Sequence, residues 1–132
     1  MNVFVVGDVH GCYYTYRQLL NRYWDEHQDI LIQLGDLIDR GNFSPETVAY
    51  AQELSAAHPE TVQFLKGNHE YEIIDHYNNG PNNHWLRQCG NETIHQYQKA
   101  NRDIGKDVDW FQKLPLCWEN DRLCISHAGI SH

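Results

Sequence analysis

Three short segments of this chain combine residues that bind hard cations with residues that move protons. They are Gly7-Asp8-Val9-His10-Gly11, Gly35-Asp36-Leu37-Ile38-Asp39-Arg40-Gly41 and Gly67-Asn68-His69-Glu70. A fourth, Ser126-His127-Ala128-Gly129, lies near the end of the sequence. Asp8 and His10 flank one residue. Alternate side chains at a strand end point the same way, so a carboxylate and an imidazole can meet at one ion. Gly7 and Gly11 would let the backbone turn sharply beside them. Asp36 has two oxygens and can bridge two ions. Asn68 offers a neutral oxygen and His127 an imidazole for the second. Mixed oxygen and imidazole ligation suits manganese, iron or zinc better than calcium.

The chemistry expected of such a pair is hydrolysis of a phosphate ester. Two divalent cations roughly 3.5–4 Å apart clamp phosphoryl oxygens and lower the pKa of a bridging water, so that hydroxide can attack an anionic phosphate at neutral pH. His69, beside Asn68, is the expected general acid for the leaving oxygen. Asp39 would orient that imidazole and keep it protonated. Arg40 offers a planar fork to the non-bridging oxygens. Glu70 is read as a support for its loop.

These residues need a scaffold that brings strand ends together. Val3–Val6, Ile30–Leu34 and Thr61–Leu65 are apolar runs suited to buried strands. Tyr13 to about Glu26 reads as a helix, with Tyr16, Leu19, Leu20, Tyr23 and His27 along one face. Ser44-Pro45-Glu46 reads as a helix start with Ser44 as N-cap, and Val48, Ala51 and Leu54 as its buried stripe. Residues 1–66 thus alternate strand and helix, the pattern of a parallel sheet with crossover helices. Such folds bind ligands at the carboxyl ends of the strands. Further on, Glu70–Tyr77, Asn91–Asn101 (Ile94, Tyr97 and Gln98 inward) and Val108–Leu114 read as helices. Residues 78–83 read as a loop, and Leu116–Glu119 with Arg122–Ser126 as a hairpin that opens a second sheet.

Bulk properties narrow the options. The chain has 132 residues and a formal charge of -8, which argues against a nucleic-acid partner. No apolar run approaches membrane-spanning length. Cys12, Cys89, Cys117 and Cys124 form no CxxC pair, and reduced cytosolic thiols are expected. Cys12 is read as a small buried thiol. His27, His58, His76, His84 and His95 are read as surface residues. Trp24, Trp110 and Trp118 are read as core or core edge, and Trp85 as core or site rim.

GD-x-HG, GD-x-x-DRG, GNHE and SHAG, in this order and after strands, resemble the calcineurin-like metallophosphoesterase superfamily. The DRG and GNHE forms are most similar to its phosphoprotein phosphatases, and specifically to the bacterial and phage branch typified by the lambda phosphatase. Trp85, Gly90 and Thr93 are similar to a segment of that branch, with Asn91 in place of a second glycine. The resemblance implies an α/β fold, an αββα sandwich, with two metal ions, manganese commonly among them. It implies Asp8, His10 and Asp36 at one ion and Asp36, Asn68 and His127 at the other. Asp39 and His69 would be the acid pair and Arg40 a phosphate contact. Relatives continue past SHAG with another metal histidine and a second arginine. His132 follows His127 too closely to supply that histidine. The chain is therefore read as one domain, 1–132, with its second sheet incomplete, completed by further sequence or by a partner such as a second copy.

The resemblance implies a serine/threonine protein phosphatase that also accepts small phosphate esters, and the expected reduced thiols place it in the cytoplasm. Two other expectations stand beside it. One is a catalytically weak fragment or metal-binding module. The other is diadenosine tetraphosphate hydrolysis, which occurs in the same superfamily; His10 weighs against it, because those relatives often carry glutamine there. Nucleases of the superfamily fit the acidity and the DRG block less well.

Overall fold

Residues 2–127 and 129–131 are described by the structure, a computed structural model. The first half alternates as its sequence dictates. It runs β1 (Asn2–Val6), α1 (Tyr13–Tyr23), β2 (Asp29–Gln33), α2 (Ser44–Ala57), β3 (Val62–Phe64). The three strands form a parallel sheet in the order β1-β2-β3, with Val6 opposite Gln33 and Leu31 opposite Val62. Helices fill the rest: α3 (Asn68–Asn79), α4 (Asn83–Trp85), a π-helical turn over Leu86–Gly90, α5 (Asn91–Ala100) and α6 (Ile104–Lys113). A second, antiparallel sheet follows, β4 (Cys117–Glu119), β5 (Cys124–Ser126) and β6 (Gly129–Ser131). The expected hairpin is present, and β6 adds one more strand to it.

The continuous apolar runs are explained by two occupied faces. Along β1, Phe4 and Val6 face the helices and join a core with Tyr16, Leu20, Val48, Ile73 and Phe111. Val3 and Val5 face the opposite way, where Ile32 and Leu65 meet Ile125, Trp118 and Leu123 of the second sheet. A strand with period-two side chains and apolar layers on both sides has no polar face. The layers observed are helices, parallel sheet and antiparallel sheet, three of the four in an αββα sandwich. The antiparallel sheet has three short strands among the described residues.

Several local expectations give way to tertiary contacts. Helix α1 stops at Tyr23, where the Trp24 N–H closes onto the Leu20 carbonyl, so Tyr23 is exposed instead of inward, and His27, beyond the helix, lies at the surface. Ser44 is not the N-cap of α2. It is the first helical residue, and its hydroxyl is drawn away to accept the Asp39 backbone N–H at 3.1 Å. Helix α3 begins at Asn68, two residues earlier than expected, so the third motif is itself a helix start. The expected loop at 78–83 is confined to residues 80–82, since α3 runs to Asn79 and α4 starts at Asn83, and a π-helical turn lies between α4 and α5. Gly90 lies flat on the Trp85 indole there; a β-carbon at Gly90 would stand 2.5 Å from the ring. Gln96, not Gln98, points inward, bonding the Ser44 N–H and the Gly41 carbonyl. Helix α6 begins at Ile104, because the Asp103 side chain caps it by accepting the Gly105 N–H. Cys12 is exposed, not buried. His58 and His76 are half-buried, His58 edge-on to Trp24 and His76 against Trp85.

Candidate active site

The carboxyl ends of β1, β2 and β3 carry the first three motifs, and the turn after β5 carries His127. Each motif leaves its strand through unusual backbone. His10, Asp36, Asp39 and Arg40 all have positive φ, between 47 and 75°. Non-glycine residues rarely take this conformation, so surrounding contacts must enforce it. The carbonyl of Asp36 receives the N–H groups of Val9 and His10, and the Leu37 carbonyl receives Gly11 N–H. Gly11 adopts φ +69°, whereas Gly7 has no positive φ. Gly41 is needed for close approach: a β-carbon there would lie 2.1 Å from the His10 carbonyl oxygen. The first two loops are thus pressed backbone to backbone.

Glu70 stitches the second loop to the third. Its carboxylate accepts N–H groups from Asp36 (2.7 Å), Gly67 (2.9 Å) and Leu37 (3.0 Å) and is fully buried. This is the support role expected of it. Burial pushes its pKa up to about 7, and the nearby Asp36 charge adds to this, against the pull of the three N–H donors.

The possible metal ligands converge around Asp36. Its Oδ2 lies 3.1 Å from His127 Nε2. Asp8 Oδ2 lies 3.5 Å from His10 Nε2. Ligand atoms of Asp8, Asp36 and His127 sit within 4.8 Å of one another, and so do those of His10, Asp36 and His69. Asp36 is common to both groups, the position a bridging carboxylate would take. Convergence of Asp8 and His10 owes nothing to strand pleating, since β1 ends at Val6; the positive-φ turn at His10 achieves it. Both imidazoles are set for ligation. His10 Nδ1 donates to the Ile38 carbonyl (3.0 Å) and His127 Nδ1 to the Leu34 carbonyl (2.7 Å). Each bond commits Nδ1 to a carbonyl and leaves Nε2, which faces a carboxylate, as the atom available for ligation. Asn68 is exposed at the first position of α3, and the next N–H, of His69, donates to Asp36 Oδ1 at 2.9 Å. The donor set therefore fits two divalent cations. Ala128 and His132 lie outside the described residues.

His69 differs from the other two histidines. Its Nδ1 lies 2.7 Å from Asp39 Oδ2, and Asp39 is fully buried. The hydrogen bond to Asp39 raises the His69 pKa; burial opposes it, and the charges of Asp39 and Asp36 reinforce it. A proton held this firmly suits an acid better than a ligand. For Asp39, burial pushes the pKa up, but hydrogen bonds from His69, Thr93 and Trp85 outweigh it and the net shift is downward. Trp85 Nε1 donates to Oδ2 at 2.7 Å and Thr93 Oγ1 to Oδ1 at 2.5 Å. Those two donors had no assigned role in the sequence. Their signal was the Trp85-Gly90-Thr93 spacing, which the π-helical turn converts into one face aimed at Asp39. Arg40 is exposed beside the site.

A groove of about 880 Å³ lies elsewhere, between α2 and the α5–α6 corner. It holds none of the motif residues. Its buried Asp107 is satisfied by Gln52, Tyr97 and Arg102, a structural network. No helix among the described residues is long and apolar enough to cross a membrane.

Comparison with known proteins agrees with this geometry. The sequence profile of calcineurin-like phosphoesterases matches residues 1–132. The symmetrical bis(5'-nucleosyl)-tetraphosphatase of Proteus mirabilis is 31% identical over 134 residues, covering 99% of this chain and 45% of that protein. The protein of the same name from Hamiltonella defensa is 30% identical, covering 98% and 45%. The chain therefore spans about half the length of the curated relatives it matches. Among solved structures, a serine/threonine phosphatase from Saccharomyces cerevisiae superposes with a TM-score of 0.62 at 22% identity, covering 87% of this chain and 33% of that one. A metallophosphoesterase from Sphaerobacter thermophilus gives 0.61 at 19%, covering 91% and 44%. These two likenesses concern the fold. The expected superfamily is confirmed, whereas the named sequence relatives are tetraphosphatases instead of phosphatases of the lambda type. With four motifs in place on the strand ends and the profile matched along its whole length, the chain belongs to the calcineurin-like phosphoesterase family.

Proposed function

We propose that this site hydrolyses phosphate esters and anhydrides with two divalent cations, and that its substrate is a dinucleoside polyphosphate. The observation that carries the reaction type is the convergence of Asp8, His10 and His127 around Asp36, set beside the Asp39–His69 pair. Asp8, His10, Asp36, Asn68 and His127 would hold the ions, manganese being the first to test. Bound cations would neutralise phosphoryl charge and activate water. His69 protonates the departing oxygen through Nε2, since Nδ1 is committed to Asp39. Arg40 binds non-bridging oxygens from its exposed position. Asp39 keeps the imidazole protonated and correctly turned.

The tetraphosphatase relatives favour the substrate. Their resemblance extends over nearly the whole chain at 30–31% identity, while the serine/threonine phosphatase likeness is structural and weaker in sequence. The relatives outweigh His10 as an argument on substrate. The test is to load the chain with manganese and offer diadenosine tetraphosphate and a phosphoserine peptide in parallel. Turnover of the dinucleotide, abolished in His69→Asn, supports the reading. Turnover of the peptide alone restores the protein-phosphatase reading. Binding of two ions without turnover of either favours a metal-binding module.

A further inference from the structure

The first two site loops share a cleft. It measures about 280 Å³ and is lined by residues 11–15 and 41–43. Gly11 and Gly41 form part of its lining, and they are the chain neighbours of His10 and Arg40, one Cα spacing of about 3.8 Å away. The cleft is held open by fixed backbone: Phe43 N–H donates to the Gly11 carbonyl at 3.0 Å. Its walls are aromatic. Tyr14 is 61% exposed and Phe43 37% exposed, and their rings meet edge to face with centroids 5.2 Å apart. Tyr13 supports Tyr14 at 5.0 Å and is itself held by Tyr50 and by Arg17, whose guanidinium donates to its hydroxyl at 2.8 Å. Thr15 and Asn42 add polar atoms along the cleft.

Solvent-exposed rings of this size leave water-contacting apolar area without a folding benefit, since neither closes the core. A planar heteroaromatic ring would cover them. Stacking on aromatic side chains tolerates any base, and a carboxamide or hydroxyl at the edge can bond ring nitrogens and amino groups. Resting on the dinucleoside polyphosphate reading above, we propose that this cleft receives a nucleobase of the substrate, stacked face to face on one of the perpendicular Tyr14 and Phe43 rings and meeting the other edge-on. The phosphate chain would run from there past Arg40 toward Asp36. The shared loops make this a specificity subsite continuous with the reaction centre.

The proposal is tested with Tyr14→Ala, Phe43→Ala and Tyr14→Phe in the intact chain, with circular dichroism to verify folding. Both side chains are exposed, so truncation leaves the core in place. The kcat/KM for diadenosine tetraphosphate is compared with that for inorganic tripolyphosphate, which has no base. Each alanine variant should lower the ratio of the two by roughly 10-fold through KM, the scale of one lost stacking contact. Tyr14→Phe should retain the ratio. An unchanged ratio, or an equal loss on both substrates, overturns the proposal. Titration with adenosine 5'-monophosphate by NMR separates it from the substrate reading, because binding needs no turnover. Ring-proton shifts at Tyr14 and Phe43 in the parent chain, lost at the remaining ring in each alanine variant, uphold the cleft even if the dinucleotide is never cleaved. Absence of such shifts in the parent chain overturns it.

Discussion

The indole of Trp85 and the imidazole of His69 end on the same oxygen. Each lies 2.7 Å from Asp39 Oδ2, although one comes from α4 and the other from the start of α3. Thr93 takes the other oxygen. Asp39 is thus a buried carboxylate with its acceptor capacity directed by three donors, and its orientation fixes that of His69. Replacing Trp85 with Phe keeps the packing against Gly90 and removes only the donor. Trp85→Phe and Thr93→Val should each lower kcat by about 10-fold, against roughly 100-fold for Asp39→Asn, the lower bound of a general acid's contribution. Steady-state kinetics with KM measured separately decides it. An Asp39→Asn rate equal to the parent's would remove Asp39 from the acid pair.

The same pair sets a pH window. The His69 pKa is raised in the fold, so its contribution to stability is complete below its unfolded value near 6.5 and lost as pH rises through the folded value. The Asp39 pKa is lowered, so its contribution is present above its ordinary value of 3.8 and lost as pH falls through the folded value. The metal-free chain should therefore gain more from this pair between those limits than outside them. Urea titrations of the parent and His69→Asn across pH 3–9 (roughly the span of these pKa values) would show their stability difference narrowing at both ends. A difference that does not vary with pH would contradict the assignment.

Asp36 should matter to both ions and Asp8 to fewer contacts. Asp36 belongs to both ligand groups, with His10 and with His127, whereas Asp8 belongs to the group with Asp36 and His127 and lies 3.5 Å from His10 Nε2. Asp36→Asn is expected to abolish binding of both ions, and Asp8→Asn to weaken one by about 10- to 100-fold, the loss typical of a perturbed ligand shell. Isothermal titration with manganese and elemental analysis give the stoichiometry. Retention of two ions in Asp36→Asn would disprove the bridging role.

Cys89 should be chemically quiet. Burial pushes its thiol up to about 12, and the charge of Asp39 adds to this. Cys12 and Cys117 are exposed. Since the thiolate is the reactive form, iodoacetamide at neutral pH should label Cys12 and Cys117 first and Cys89 last, as read by peptide mass spectrometry. Early labelling of Cys89 would show that the π-helical turn opens readily.

The first half of the fold was legible in the sequence because its signals are local. Val3–Val6 and Ile30–Leu34 are too apolar for a one-sided sheet, and the glycine-rich motifs mark where the strands stop. Asp8, His10, Asp36, Asp39, His69 and His127 do come together in space. What the sequence withheld depends on distant partners. Ser44 looks like a cap, but the Asp39 N–H, five residues back, claims its hydroxyl. The loop signals of residues 78–83 end at Asn83, where a helix starts because Trp85 has a buried place against Gly90 and bonds Asp39. Tyr23 fits a helical stripe that the helix does not live long enough to use. The nature of the substrate lay outside the motifs altogether, since they report on phosphate and not on what it carries.

His127 gives the small antiparallel sheet a significance beyond packing. Its imidazole reaches across the interlayer space to the Leu34 carbonyl and to Asp36, so the two sheets touch through polar groups at one rim and through Ile32, Leu65 and Ile125 behind it. An ion bound there would act as a clasp between layers whose apolar seam is short. Metal affinity and the docking of the second sheet then become one quantity measured in two ways. Chelation should loosen the sheet, and any change that frees the sheet should release the ion.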